Sequence, residues 1–371
     1  MRFTVLIIED DPTMIDSLRS VLETRLDDVK VEGTGFEKAR TTVESLRPDA
    51  VIMDVFEDQT GSTASAGATW EHIWDVHFCP VVVHSARDMP TFLEGKQQHP
   101  FVCFQPKTAD SQERVVDKLA SYRTHVDSLR AFNDEVAMKA AESLRHVSLL
   151  VWKEAANEND RRDILVRLTR RRLAASFDSP TYGGTRMQAW EQYIYPPLSS
   201  DLLTGDILRE TRGDPDEPSA FRVVLSPSCD LVVSQGAVEK ALVARCDRVS
   251  KWLKKVGLDA TTAEKKLRER LPKEVTRDQQ EGVRILPGLP DHIPLMAVDL
   301  KDLHLVPLTA IDLTDGDAGR DFVRVCSIDS PFREQLAWAY VQVCGRPAMP
   351  VTNAADFTEK IIRTIKAGKG A

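Results

Sequence analysis

The stretch Val5-Leu6-Ile7-Ile8-Glu9-Asp10-Asp11-Pro12 passes from an apolar run directly into three acidic residues and a proline. An apolar run bounded in this way is typical of a buried strand, and residues 12–25 then place apolar side chains at helical spacing. The first third of the chain contains four further strand-like runs, which are Val29–Val31, Ala50–Met53, Pro80–His84 and Phe101–Phe104. Because strands alternate with helical segments, the sequence predicts a parallel sheet with helices on both faces.

Polar side chains follow three of these strands. Glu9 and Asp10 follow the first strand, Asp54 follows the third and Ser85 follows the fourth. The carboxyl ends of parallel strands lie at one edge of the sheet, so we expect these side chains to lie close together. Carboxylate oxygens are suitable ligands for Mg²⁺, and an aspartate held beside Mg²⁺ can attack phosphorus to form an aspartyl phosphate.

Three segments carry a family resemblance. The runs Val5–Pro12, Val51–Asp54 and Val81–Ala86 resemble, in order and spacing, the receiver domain of two-component response regulators. The resemblance covers residues 1–125 and implies a flavodoxin-like (βα)5 fold. It also implies a cytoplasmic, bacterial phosphorelay protein whose partner is a sensor kinase or another signalling protein.

The resemblance also assigns roles to individual residues. It implies that Glu9, Asp10 and Asp54 hold Mg²⁺ together with the backbone carbonyl of Phe56. Asp54 would accept the phosphoryl group, and the hydroxyl of Ser85 would reorient toward it.

The fifth strand departs from the family pattern, in which a lysine precedes a cis-proline. This chain reads Phe104-Gln105-Pro106-Lys107. Either Gln105-Pro106 replaces the Lys-Pro pair, or Lys107 supplies the catalytic amine from a shifted register with Phe104 as the aromatic switch residue. The loop over residues 56–69 is also longer than usual. The first region is therefore either a receiver phosphorylated on Asp54 or a pseudo-receiver that serves for docking.

Residues 109–177 have a helical pattern almost throughout, which includes an apolar stripe over residues 126–150. Such a stripe suits the seam of a homodimer or packing against the chain's own domains. We therefore divide the chain into a receiver domain (residues 1–125), a helical connector (residues 126–195) and a C-terminal β-rich domain (residues 196–371).

The C-terminal half carries a weaker resemblance. Gly205-Asp206-Ile207 and Val223-Val224-Leu225-Ser226 resemble two strands of the PemK/MazF toxin β-barrel. That family places an Arg-Pro pair ahead of its serine, whereas Arg222 here precedes Val223, so ribonuclease activity is not carried over. We expect a mainly-β, barrel-like binding domain with a charged helical insert over residues 249–282, bent at Gly257, and a helix that starts at Ser330-Pro331.

The cluster Ser228-Cys229-Asp230 offers an alternative function for this domain. A nucleophilic cysteine needs a base, for which His304 is a candidate and His292 an alternative. The domain would then be a receiver-gated effector enzyme, nuclease-like or cysteine-dependent. A zinc site built from Cys229, Cys246, His304 and Cys326 lacks the usual ligand spacing. The simplest interpretation makes Cys229 a buried thiol and Asp230 a turn residue.

Composition limits the remaining possibilities. The chain has 371 residues, a net charge of −8 and six cysteines, none of them in a C-x-x-C pair. The negative charge argues against a nucleic-acid coat, and no apolar run approaches the roughly 18 residues of a membrane span. The scattered cysteines fit the reduced thiols of a cytoplasmic protein.

Overall fold

The chain consists of two compact units, Met1–Pro180 and Thr181–Ala371. The computed structural model describes residues 2–55, 64–86, 88–155, 157–177, 187–232, 238–314, 319–345 and 354–367. None of the described helices has the length and apolar character needed to cross a membrane.

The first unit is built around a parallel sheet. Its elements are β1 (Phe3–Ile8), α1 (Pro12–Arg25), β2 (Val29–Thr34), α2 (Phe36–Leu46), β3 (Ala50–Met53), α3 (Ala64–Val76), β4 (Val81–Ser85), β5 (Val102–Pro106), α4 (Ser111–Glu154) and α5 (Glu158–Phe177). The strand order is β2-β1-β3-β4-β5, with every pair parallel. This is the strand order of flavodoxin-like folds, and it confirms the predicted parallel sheet.

Helices cover both faces of the sheet. Leu18 and Leu22 of α1 pack with Val115 and Leu119 of α4 on one face. The apolar side chains of α2 and α3, including Trp70, pack on the other. The prediction that helices lie on both faces of the sheet is therefore confirmed.

The connection between β4 and β5 differs from the predicted (βα)5 pattern. Its described residues form two single-turn 3-10 helices, Thr91–Leu93 and Lys96–Gln98, and no α-helix. Pro90, Gly95 and Pro100 interrupt this short stretch, and Gly95 adopts a φ of +79°. Proline removes a backbone donor and a left-handed glycine ends helical geometry, so the fourth helix of the predicted pattern does not form.

Helix α4 continues far beyond the sheet. Its 44 residues span about 66 Å, so the boundary we predicted at residue 125 lies inside a continuous helix. The helix forms an antiparallel hairpin with α5, in which the rings of Phe132 and Phe177 lie 6.4 Å apart. Ser143 is buried and Val136 and Val147 on the same face are half-buried. Part of the predicted apolar stripe therefore packs within the chain.

The second unit contains a larger, mainly antiparallel sheet. Its elements are β6 (Tyr193–Ile194), β7 (Asp206–Glu210), β8 (Phe221–Val224), β9 (Lys240–Arg248), α6 (Val249–Lys255), α7 (Glu264–Glu281), β10 (Val283–Leu286), β11 (Met296–Pro307), β12 (Ile311–Asp312), β13 (Phe322–Ile328), α8 (Phe332–Cys344) and α9 (Ala354–Ala367). The strand order is β10-β11-β9-β8-β7-β13-β12, and β6 also pairs with β13.

The second unit corrects part of our expectation. Its main path runs from β10 to β12, and no pairing among the described residues joins these end strands into a closed barrel. The helical insert is present as α6 and α7, with Gly257 at a φ of +70° between them. Helix α8 begins at Phe332, directly after the predicted start at Ser330-Pro331, and Pro331 is its N-cap.

Candidate functional site

Two acidic side chains lie buried at the carboxyl edge of the parallel sheet. The backbone N–H of Glu9 donates to the carbonyl of Thr34 at 3.0 Å, and that of Asp54 donates to Ile8 at 3.0 Å. These bonds fix the residues that follow β1 and β3 relative to the neighbouring strands. Glu9 is 4% exposed and Asp54 is 6% exposed. Sequence reasoning therefore located both side chains at the same edge.

The ammonium group of Lys107 lies between these two carboxylates. Its Nζ atom is 2.7 Å from Oε2 of Glu9 and 2.6 Å from Oδ2 of Asp54. The backbone N–H of Lys107 donates to the carbonyl of Ser85 at 2.8 Å, which fixes the residue just after β5. Gln105 and Pro106 instead pair along β4 as the last residues of β5. Of the two alternatives left open by the sequence, the structure places Lys107 at the acidic edge.

Burial sets the protonation of this cluster. Burial raises the pKa of Glu9 above its ordinary value, and the hydrogen bond from Lys107 only partly offsets that effect. For Lys107, burial alone would lower the pKa, but the hydrogen bonds to Asp54 and Glu9 outweigh burial and raise it. The ammonium is therefore held charged beside two carboxylates.

Strand β4 ends in two buried polar residues. Ser85 is 1% exposed, and its Oγ atom has no hydrogen-bond partner among the described residues. The Nε2 atom of His84 lies 2.9 Å from Oγ of Ser111, the first residue of α4. Burial, together with the nearby charge of Lys107, lowers the pKa of His84 to about 4. Sequence reasoning missed His84, although a histidine ending a valine-rich strand is a visible signal.

The donor set at this edge partly matches the expected Mg²⁺ site. Carboxylates are the ligand type that Mg²⁺ prefers. Asp10 is exposed. Its Oδ1 atom lies beside Gly35, the residue that precedes α2, where an added Cβ atom would be 3.5 Å from it. In the described parts of the chain, no three His, Cys, Asp or Glu side chains are gathered closely enough for a metal. Phe56, the expected carbonyl ligand, lies outside the described residues.

The candidate cluster of the C-terminal half is dispersed. Cys229 is exposed rather than buried, and its Sγ atom lies 3.5 Å from Oδ1 of Asp230, its neighbour in a 3-10 turn. His304 is in β11 and contacts Asp302 at 3.0 Å. The hydrogen bonds found among the described residues do not join His304 to Cys229. The structure thus brings together the cysteine and aspartate, and no histidine among the described residues is hydrogen-bonded to them.

The four possible zinc ligands also differ in their burial. Cys246 and Cys326 lie in the apolar core, where burial raises the pKa of the Cys246 thiol to about 12 and raises that of Cys326 as well. Metal binding requires the thiolate, which this environment opposes. These two cysteines therefore behave as buried, apolar side chains.

Comparison with known proteins gives structural neighbours only. No protein-family model and no curated protein matches the chain. The response regulator domain of Thermotoga maritima CheB aligns at 17% identity, over 34% of this chain and 98% of that chain, with a TM-score of 0.27. The receiver domain of NarL from Mycobacterium tuberculosis aligns at 18% identity over 32% and 97%, with a TM-score of 0.25. Salmonella typhimurium RcsB, described in a study of its interaction with DNA, aligns at 17% identity over 47% and 90%, with a TM-score of 0.27. The strand order of the first unit, rather than these values, carries the fold assignment.

Proposed function

We propose that this chain is a cytoplasmic signalling protein whose first unit accepts a phosphoryl group on Asp54. The observation that carries the proposal is the position of Lys107, whose ammonium bonds both Glu9 and Asp54 at a buried sheet edge. A buried nucleophilic carboxylate beside a fixed cation is suited to a reaction that gathers negative charge on phosphoryl oxygens.

The proposed reaction transfers a phosphoryl group from a sensor kinase or a small phosphoryl donor. A carboxylate oxygen of Asp54 forms a bond to phosphorus, and the bond from phosphorus to the donor breaks, with its electron pair leaving on the donor. Lys107 stabilises charge on the transferred group. Ser85, whose buried hydroxyl has no partner among the described residues, would donate a hydrogen bond to it.

Mg²⁺, held by Glu9, Asp10 and Asp54 with the backbone carbonyl of Phe56, would neutralise part of the phosphoryl charge. The Lys107 ammonium already bonds two of these carboxylates. Mg²⁺ and Lys107 therefore share ligands, and Asp10 must turn inward to complete the set.

We propose that α4 transmits the state of the site. Ser85 is adjacent to His84, which contacts Ser111 at the start of α4. A reorientation of Ser85 on phosphorylation would therefore disturb the contact at the beginning of the helix that extends into the connector. The connector is proposed as a homodimer surface and the C-terminal β-rich unit as the part that binds an output partner.

Intact mass spectrometry tests the proposal. The chain is incubated with Mg²⁺ and acetyl phosphate, and the wild type is compared with Asp54→Asn and with Asp11→Asn as a neighbouring acid outside the proposed site. We expect one added phosphoryl group in the wild type and in Asp11→Asn, and none in Asp54→Asn. Absence of the adduct in all three proteins, also with a panel of sensor kinases, would show a pseudo-receiver and overturn the proposal.

A further inference from the structure

The second unit contains an open cavity beside one of its apolar clusters. The cavity has a volume of about 560 Å³, which lies within the roughly 300–1,000 Å³ range of small-molecule sites. Protein interiors rarely contain voids larger than one water molecule, whose share of the liquid is roughly 30 Å³. A space of this size is therefore a site with room for a ligand rather than a defect in packing.

Apolar side chains form the floor of the cavity. Leu202 is 2% exposed, Leu231 and Ile311 are 1% exposed, and all three line the cavity. They belong to an apolar cluster that also includes Leu208 of β7 and Val243 of β9, so the floor is anchored to the sheet. Such a floor would bind the hydrocarbon part of a ligand, because binding removes apolar surface from water.

Backbone pairing fixes one side of the rim. Lys240, the first residue of β9, pairs with Pro307 at the end of β11. The backbone N–H of Leu308 donates to the carbonyl of Glu239 at 3.0 Å. All four residues line the cavity. This side of the rim is therefore held by strand pairing within the chain and is formed before a ligand binds.

Basic side chains outnumber acidic ones among the described residues that line the cavity. Lys240, Arg320 and Glu239 are its exposed charged residues. The Nη1 atom of Arg320 donates to the carbonyl of Ile311 at 2.8 Å, which holds the guanidinium beside β12. Neither Lys240 nor Glu239 takes part in an ion pair within the described residues. The Lys240 ammonium can therefore pair with an anionic group of a ligand.

We propose that this cavity binds a small organic acid with an apolar body. The apolar body would rest on Leu202, Leu231 and Ile311, and the acid group would face the Lys240 ammonium at the rim. Small-molecule sites commonly combine an apolar lining with a few polar groups that orient the ligand. A neutral apolar molecule would gain nothing from the Lys240 charge, and a small inorganic anion would leave the apolar floor in contact with water.

A ligand of this class goes beyond the phosphoryl chemistry proposed for the first unit. The cavity residues all belong to the second unit, and binding does not require Asp54. Ligand binding and the phosphoryl adduct are measured separately, so either proposal can fail while the other stands.

Fluorescence titration of the full-length chain with anilinonaphthalene sulfonate tests the site, because this dye joins an aromatic body to one sulfonate. Phenylnaphthylamine, which lacks the sulfonate, is the matched uncharged dye. We expect one molecule of the sulfonate dye to bind per chain. Lys240→Met should weaken that binding by about threefold to fivefold and leave binding of the uncharged dye unchanged. Lys254→Met, at an exposed lysine outside the cavity, is the matched control and should change neither.

A second variant locates the dye by filling the cavity. Val238 lines the cavity and is 36% exposed, so Val238→Trp adds bulk there without replacing a core side chain. We expect it to weaken binding of both dyes by about tenfold or more. Leu305→Trp, at an exposed apolar position of β11 outside the cavity, should change neither. Thermal unfolding of each variant identifies any that fails to fold.

Three results would overturn the proposal. An equal effect of Lys240→Met on both dyes, or no effect on either, would show that the cavity does not select an acid. Dye binding that Phe357→Ser abolishes and Val238→Trp leaves unchanged would lie on α9, where Phe357 is 67% exposed. The absence of saturable binding of the sulfonate dye up to high micromolar concentration would exclude the site altogether.

Discussion

The Nε2 atom of His84 lies 2.9 Å from the Oγ atom of Ser111, so the end of β4 contacts the first residue of α4. At the far edge of the sheet, Arg130 of the same helix bonds Asp49 just before β3, with Nε 2.5 Å from Oδ1. About 20 residues of α4 are thus held between two polar contacts, one at each edge of the sheet. Movement at the acidic edge has a direct structural route into the long helix.

The burial of His84 near the Lys107 charge predicts a pH dependence of stability. The pKa of His84 is about 4 in the folded chain, against about 6.5 when unfolded. Between these values the unfolded state binds the additional proton, so stability is complete above pH 6.5 and falls as the pH decreases toward 4. The loss should reach up to about 3 kcal/mol from this group.

Hydrogen exchange of β4 and of the start of α4, measured between pH 4.5 and 7.5, checks this prediction. After correction for intrinsic exchange rates, His84→Gln should flatten the pH dependence of protection. His146→Gln, which changes an exposed histidine of α4, should retain it. An equal slope in all three proteins would contradict the assignment to His84.

Removal of the Lys107 ammonium should leave two buried carboxylates close together. We expect Lys107→Met to lower the free energy of unfolding of the first unit by about 2–3 kcal/mol at pH 8, since breaking a buried ion pair leaves an uncompensated charge. The deficit should shrink at pH 5. Burial already raises the pKa of Glu9, and a carboxyl of raised pKa contributes stability at low pH that is lost as the pH increases.

The matched control is Lys96→Met, which removes an exposed ion pair with Glu71. Surface pairs of this kind contribute about 0–1 kcal/mol, so the control should change little. Urea unfolding, monitored by hydrogen exchange of the amides in β1 and β3, measures the free energy of unfolding of both variants. A Lys107 variant as stable as the control would show that the ammonium does not hold the acidic edge together.

The second anchor of α4 predicts a local loss of protection. Arg130 also donates from a terminal nitrogen to the carbonyl of Arg2 at 2.8 Å, and Asp49 is buried. Arg130→Met should destabilise the unit by about 2–4 kcal/mol, because it would leave the Asp49 carboxylate buried without its ion-pair partner. Exchange protection should fall mainly in α4 around Tyr122 and Val126. Arg25→Met, which removes an exposed pair with Glu113, should have a much smaller effect.

A buried network in the second unit makes a separate prediction. Asp206 is fully buried, accepts from the Ser327 hydroxyl at 2.5 Å, and lies 3.4 Å from the Arg324 guanidinium. Asp206→Ala would leave that guanidinium buried without a carboxylate, and we expect a loss of about 3–5 kcal/mol. Asp206→Asn keeps the shape and should be milder. Thermal unfolding of the second unit that was equal for both variants would contradict a contribution from the Ser327 and Leu203 hydrogen bonds, which an asparagine oxygen can still accept.

The sequence predicted the parallel sheet and its acidic edge because both depend on local patterns. Alternating apolar runs locate β1, β3 and β4, and residue order alone places Glu9 and Asp54 after parallel strands. The register of Lys107 was not decidable in this way. It depends on the backbone bond from Lys107 to Ser85, which involves residues far apart in the chain.

Longer-range features account for the errors. Two short 3-10 helices stand where we expected the fourth helix of the first unit. The segment is long enough for a helix, but its prolines and glycine prevent one from forming. The apolar stripe of α4 suited either a homodimer seam or packing within the chain, and only the position of α5 shows that part of it packs within the chain. In the second unit, β6 and β12 have two residues each, which is too short for any periodicity to reveal.

The most direct test of the central claim is to locate the phosphoryl group by chemical trapping. The chain is incubated with Mg²⁺ and acetyl phosphate and then reduced with borohydride, which converts an aspartyl phosphate to homoserine at the modified position. Peptide mass spectrometry should find homoserine at position 54 in the wild type, and none there without the phosphoryl donor. Homoserine at another aspartate position, or at none with any donor, would contradict the account.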